Sequence, residues 1–202
     1  MATAAASGGG AANAVTFISG TPATKLLWPE NSIPSTFTVC SVTRYTGGLR
    51  NQILGCRDSP SQSSSWSQGH YSSQGGVRGV AYYPWSWKTS TATKGIRDNW
   101  LVMCGTNAGT TVPGNIIIDQ DEIGTSSGGQ GGYRLNIGYY SSSDWALHSV
   151  LIWDYSLGTV SALWHTSATL SQVLLSWFFS LCDLGKRRTV FSGQGDWGRR
   201  YR

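Results

Sequence analysis

Charge is what this chain has least of. Lys, Arg, Asp and Glu make up 12% of its 202 residues, about half the roughly 25% of an average soluble domain. Glu is scarcer still, with Glu30 and Glu122 alone in the whole sequence. Solubility therefore rests on Ser, Thr, Asn, Gln and Gly, and charge-laced helices are excluded. The four cysteines, Cys40, Cys56, Cys104 and Cys182, show no C-x-x-C spacing, which argues against zinc. The three histidines, His70, His148 and His165, stand in no Cys–His spacing, and no G-x-S-x-G occurs, so a nucleophilic hydrolase has no support. The first residues, Met-Ala-Thr-Ala-Ala-Ala-Ser-Gly-Gly-Gly, lack the basic start and apolar run of a signal peptide. They read as a flexible lead-in, or as the start of a fragment.

The net charge of +5 is unevenly placed. Beyond His165, six cations (Lys186, Arg187, Arg188, Arg199, Arg200 and Arg202) face two carboxylates (Asp183 and Asp196), and the rest of the chain is close to neutral. A nucleic-acid groove needs clustered cations to neutralise phosphates, and the main body has none. No nucleic-acid partner is expected.

What the chain does have is 26 Gly, 10 Trp and 9 Tyr, arranged as short apolar runs between turn residues. Val15–Ile18, Thr36–Tyr45, Asn51–Gly55, Gly79–Tyr83, Trp100–Cys104, Asn115–Asp119, Tyr133–Ile137 and Trp145–Trp153 read as strands. Trp100–Cys104, apolar on both faces, suits a central strand. Short strands at such spacing predict two packed antiparallel sheets rather than a βαβ alternation. Cys40 and Cys104 each fall inside an apolar strand, where a buried free thiol is the reading preferred over a disulfide. The Ser/Gln-rich stretch from Ser59 to Ser73 reads as one long loop.

Three regions follow. Residues 1–14 form a disordered lead-in, 15–160 the sandwich, and 161–202 a basic tail. In the tail Leu170, Val173, Leu174, Trp177, Phe178 and Leu181 recur at helical spacing, predicting a short amphipathic helix capped near Gly185. At roughly 15 residues it is too short to span a bilayer, which takes about 20. Docking on the sandwich is preferred over membrane contact through Leu170–Leu181.

The order Phe37–Tyr45, Gly79–Tyr83, Trp100–Gly105, Leu135–Gly138 and Ser143–Leu157 resembles the concanavalin A-like superfamily, in particular its laminin-G-like jelly-roll domains. The last segment, an acidic start, an apolar alternation, Trp153-Asp154 and then Leu157, carries most of the likeness. The resemblance spans residues 15 to 160. It implies a two-sheet antiparallel jelly roll, an extracellular or cell-surface setting, and sugars, glycoproteins or other proteins as partners, with calcium in many members. After Leu157 the chain departs from the family, Gly158–Leu163 replacing the usual acidic helical turn.

A fold of this kind hosts lectins, glycosidases and adhesion modules alike, so the side chains have to decide. Glucanases of the superfamily carry Glu-x-Asp-x-x-Glu on one strand, and that pattern is absent here. The nearest acidic group is Asp119-Gln120-Asp121-Glu122, where Asp119 and Asp121 would share a strand face. A solvated hairpin end is the plainer reading of it. The same two carboxylates are the candidate calcium ligands, with Asp98, Asn99 and Asp144 as further oxygen donors. His148 would face with Ala146, Val150 and Ile152, as a hydrogen-bonded core or edge residue rather than a base.

Sugar binding fits what is abundant, because aromatic faces stack on pyranose C–H patches while amides and carboxylates bond to hydroxyls. The candidates are Trp66, His70, Tyr71, Tyr82, Trp85, Trp87 and Tyr139. Of these, Trp66, Trp85 and Trp87 are divided between binding and packing. Trp100, Trp145 and Trp153, inside strands, are assigned to the core. The chain is thus expected to be a non-catalytic carbohydrate- or glycoconjugate-binding module, with a protein adhesion or scaffolding module second and a degenerate glycoside hydrolase third.

Overall fold

The protein was analysed as a computed structural model, which describes residues 2–4, 9, 11, 14–56, 67–70, 77–78, 99–107, 116–118, 121–124, 131–139, 142–155 and 189–192. Among these residues there is no α-helix. The strands are β1 (Ala2–Ala4), β2 (Val15–Gly20), β3 (Leu26–Leu27), β4 (Thr38–Tyr45), β5 (Leu54–Gly55), β6 (Ser67–His70), β7 (Val77–Arg78), β8 (Leu101–Thr106), β9 (Ile116–Ile118), β10 (Asp121–Gly124), β11 (Asn136–Ile137), β12 (Trp145–Trp153) and β13 (Thr189–Ser192). They form two antiparallel sheets. The larger runs β1-β2-β12-β4-β8-β9-β10, with β13 also paired to β12, and the smaller runs β3-β11-β5-β6-β7.

The two sheets pack face to face. Val39 and Tyr45 of β4, Leu101 and Met103 of β8, and Trp145, Leu147, Val150 and Ile152 of β12 meet Leu54 and Ile137 of the small sheet in one buried cluster. The β-branched text of β4, Thr-Val-Cys-Ser-Val-Thr, favours a pleated strand buried on both faces, and β8 is buried at all six positions, as expected for a central strand. A second apolar cluster, on the opposite face of the large sheet, joins Phe17, Val42, Trp100, Val102, Cys104 and Ala146. The Arg44 guanidinium lies 5.6 Å from the Phe17 ring centroid and 5.3 Å from that of Trp100, a geometry suited to cation–π attraction. Trp100 N–H donates to the Gly9 carbonyl at 2.8 Å. Trp100, Trp145 and Trp153 are all buried, as assigned.

Several expectations need correction. Ser67–His70, inside the stretch expected to be one loop, is strand β6, buried at every residue. It holds its place by hydrogen bonds rather than apolar contact. Cys40 and Cys104 are not free thiols but a disulfide, because β4 and β8 pair with these two residues directly opposite each other. Ala2–Ala4, expected in a disordered lead-in, pairs with Val15–Phe17. Thr189–Ser192, expected in the tail, pairs with Ser149–Ile152.

His148 does not face with Val150 and Ile152. On β12 Leu147 pairs with Thr43 while Ser149 pairs with Val42, so His148 is the extra residue of a β-bulge. Strict alternation would have sent Val150 and Ile152 outward with Ala146; the bulge turns them inward. The His148 ring meets the Thr16 carbonyl through Nδ1 at 2.8 Å. A carbonyl can only accept, so Nδ1 carries the proton in this contact. The expected Gly79–Tyr83 strand and the Leu170–Leu181 helix lie outside the described residues.

Candidate functional site at the β3–β11 corner

The small sheet ends on one side in the pair β3–β11, in register Leu27 to Asn136 and Leu26 to Ile137. The pairing is carried on by Trp28 N–H donating to the Leu135 carbonyl at 3.0 Å. Leu26 and Ile137 belong to the buried interior. By the two-residue period, Leu27 and Asn136 then stand on the face turned away from the large sheet, and Lys25 shares it. Leu27 is 42% exposed.

One glycine builds the corner. Gly138, directly after β11, has φ +78°, a conformation that side chains rarely tolerate. A Cβ there would also meet the Thr24 carbonyl oxygen at 2.5 Å. The chain can therefore close tightly on Thr24–Lys25 only with glycine at 138, and the next residue, Tyr139, is delivered against Lys25. The Lys25 ammonium lies 4.9 Å from the Tyr139 ring centroid. At the far end of the same strand pair Arg134 forms an ion pair with the largely exposed Glu30. The corner thus carries a half-buried phenol, an exposed ammonium and an exposed Leu side chain, with a guanidinium–carboxylate pair nearby. It can stack, bond to hydroxyls and offer a positive charge.

Of the residues singled out from the sequence, Tyr139 stands at this corner and His70 does not. His70 is 1% exposed, between the sheets. Its Nδ1 lies 3.0 Å from Thr43 Oγ1, and its ring meets Tyr45 edge-on with centroids 4.6 Å apart. It is a core residue rather than a ligand-binding one, because β6 turns it toward β4. Trp66, Tyr71, Tyr82, Trp85, Trp87 and Asp119 lie outside the described residues. Asp121 opens β10, and nothing is described of its side chain. Among the described residues no three His, Cys, Asp or Glu side chains come together to hold a metal ion. Asp144, a further calcium donor by sequence, is engaged otherwise. Its Oδ2 accepts from Leu49 N–H at 3.0 Å, and its backbone exchanges bonds with Thr46 and Leu49, clamping the turn after β4.

Lys25, Leu27 and Arg134 were not singled out from the sequence. A two-residue strand leaves no periodicity to read, and the neighbourhood of Lys25 and Tyr139 is created by pairing across more than a hundred residues. No protein-family model matches the chain, and no curated protein matches it in sequence.

Proposed function

We propose that this chain is a non-catalytic binding module of the concanavalin A-like, laminin-G-like jelly-roll kind, and that it takes carbohydrate or glycoconjugate at the β3–β11 corner. The observation that carries the reading is the pairing of Lys25 with Tyr139 beside exposed Leu27. An aromatic ring, an apolar side chain and a few directed polar groups are the ordinary equipment for a neutral or weakly acidic polyhydroxylated ligand. Support also comes from four acid–base groups that are engaged structurally: His70 with Thr43, His148 with Thr16, Asp144 with Leu49 and Glu30 with Arg134.

The test is a glycan array probed with the full chain, in calcium and in chelator, followed by titration of any hit. Tyr139→Ala and Lys25→Ala are each expected to weaken binding by about tenfold, equivalent to about 1.4 kcal/mol, with the folded state unchanged by circular dichroism. A folded chain that binds no glycan in either buffer rejects the reading. A protein adhesion role is the second reading, favoured by the exposure of Leu27 on edge strand β3, because open edges and exposed apolar side chains suit protein partners.

A further inference from the structure

Arg134 and Arg44 are held in opposite ways. Arg134 has the Glu30 carboxylate beside it. Arg44, on β4, has aromatic rings instead: its guanidinium lies against Phe17 and Trp100, which stand edge-on to each other with centroids 5.5 Å apart. All three lie on the face of the large sheet turned away from the small one, with Ala146, the partner of Arg44 on β12, beneath them. Among the described residues nothing accepts a hydrogen bond from this guanidinium, although the group carries five N–H donors. Its Nε is buried without a hydrogen-bond partner, and so is the indole Nε1 of Trp100, a side chain 6% exposed. Nη1 and Nη2 are not buried. A cation partly buried on an apolar face without a counter-charge is costly to hold, and buried donors left unpartnered in a folded protein call for an explanation.

The surroundings leave the guanidinium open at its outer end. Gly9, with φ +61°, passes close to it, and a Cβ there would fall 2.5 Å from Arg44 Nη1 and 3.2 Å from Trp100 Cδ1. Glycine at 9 therefore leaves Nη1 uncapped where a side chain would cover it. Phe17 and Trp100 hold the planar fork in place, so that less side-chain freedom is lost when it takes a ligand. Ser19, two residues beyond Phe17 and opposite Ala146, stands on the same face and is exposed, offering a hydroxyl there. We infer that Arg44 anchors a second binding site, on the far side of the sandwich from the β3–β11 corner, for a ligand that bears a carboxylate. A carboxylate accepts two parallel N–H bonds from the Nη pair, the geometry in which a guanidinium gives both strength and direction, and it supplies the counter-charge that Arg44 lacks. The site does not depend on what the β3–β11 corner takes.

The isotope-labelled full chain is titrated with sodium acetate, methyl glucuronide, methyl glucoside and sodium chloride and followed by heteronuclear NMR. The signals read are the Arg44 Nε–H, which burial protects from exchange and which Arg44→Lys identifies by its loss, and the Phe17 and Ser19 backbone amides. Acetate and the glucuronide are expected to shift them along a saturable curve, with the glucoside and chloride leaving them in place. In Arg44→Lys, whose backbone spectrum reports its fold, the amide shifts should need about tenfold more carboxylate, because the charge is kept and the fork is lost. Tyr139→Ala should leave the curves unchanged, so a glycan array that rejects the corner leaves this site standing. Saturation by acetate alone would support the site and restrict it to carboxylates not carried on a sugar ring. An equal response to chloride, no saturation with either carboxylate, or unchanged affinity in a folded Arg44→Lys chain would each overturn the inference.

Discussion

Reduction of the Cys40–Cys104 disulfide is expected to lower the unfolding free energy by about 4 kcal/mol, the loop-entropy value for a bridge spanning a separation of this size. The two cysteines are 64 residues apart in sequence and join β4 to β8, neighbouring strands of the large sheet. Opening the bridge returns that whole loop to the unfolded ensemble. Cys104 is buried and Cys40 is only partly covered, so the pair is reducible without global unfolding. The measurement is urea denaturation with and without a dithiol reductant, repeated on Cys40→Ala/Cys104→Ala. The midpoint should fall sharply on reduction of the wild type and stay put in the variant, which separates this bridge from any chemistry of Cys56 or Cys182. An unchanged wild-type midpoint would show that the two thiols are not joined. Bridges of this kind persist in oxidising surroundings.

Gln68→Ala should cost about 3 kcal/mol, combining lost volume with polar groups left without partners. Gln68 is fully buried, yet it reaches from the small sheet to the large one. Its Nε2 donates to Ser41 Oγ at 2.9 Å and to the Met103 carbonyl at 3.0 Å. These two bonds bridge the sheets at β4 and β8, beside the His70–Thr43 contact. Oε1 has no hydrogen-bond partner, so the side chain already bears one unsatisfied atom and its stabilising part is the amide nitrogen. Gln68→Leu keeps most of the volume and loses both bonds, and should cost less than half as much as Gln68→Ala. Equal losses in the two variants, read from denaturation midpoints, would assign the whole effect to hydrogen bonding. A negligible loss in both would mean that β6 does not dock on β4 and β8 as described.

The strands that were legible in the sequence are those stabilised by apolar burial. Trp145–Trp153 is bounded as expected, β4 and β8 lie within a residue or two of expectation, and the central position of β8 followed from its two apolar faces. Ser67–His70 was not legible, because Ser-Gln-Gly-His carries no hydrophobic alternation and is buried through Gln68 and His70 bonding to the opposite sheet. The disulfide was hidden for another reason. Both strands could be seen, but the offset that sets Cys40 opposite Cys104 is a tertiary property. At the candidate site Tyr139 could be named from its place after Gly138. Lys25 could not, since nothing in its own surroundings marks it until β3 pairs with β11.

The bulge at His148 bears on how this chain can change in length over evolution. Loss of one residue from a buried strand ordinarily turns every following side chain to the wrong side, which selection removes at once. On β12 the residue without a cross-strand counterpart is itself dispensable to that order. If His148 were lost, Trp145 and Leu147 would still point inward, Ser149 outward, and Val150 and Ile152 inward, at the cost of contacts that include the bond to Thr16 and the edge-on meeting with the Trp100 ring. The strand therefore has one position where a single-codon gain or loss is tolerable, set among neighbours where none is, and length variation among descendants of this sequence should collect there.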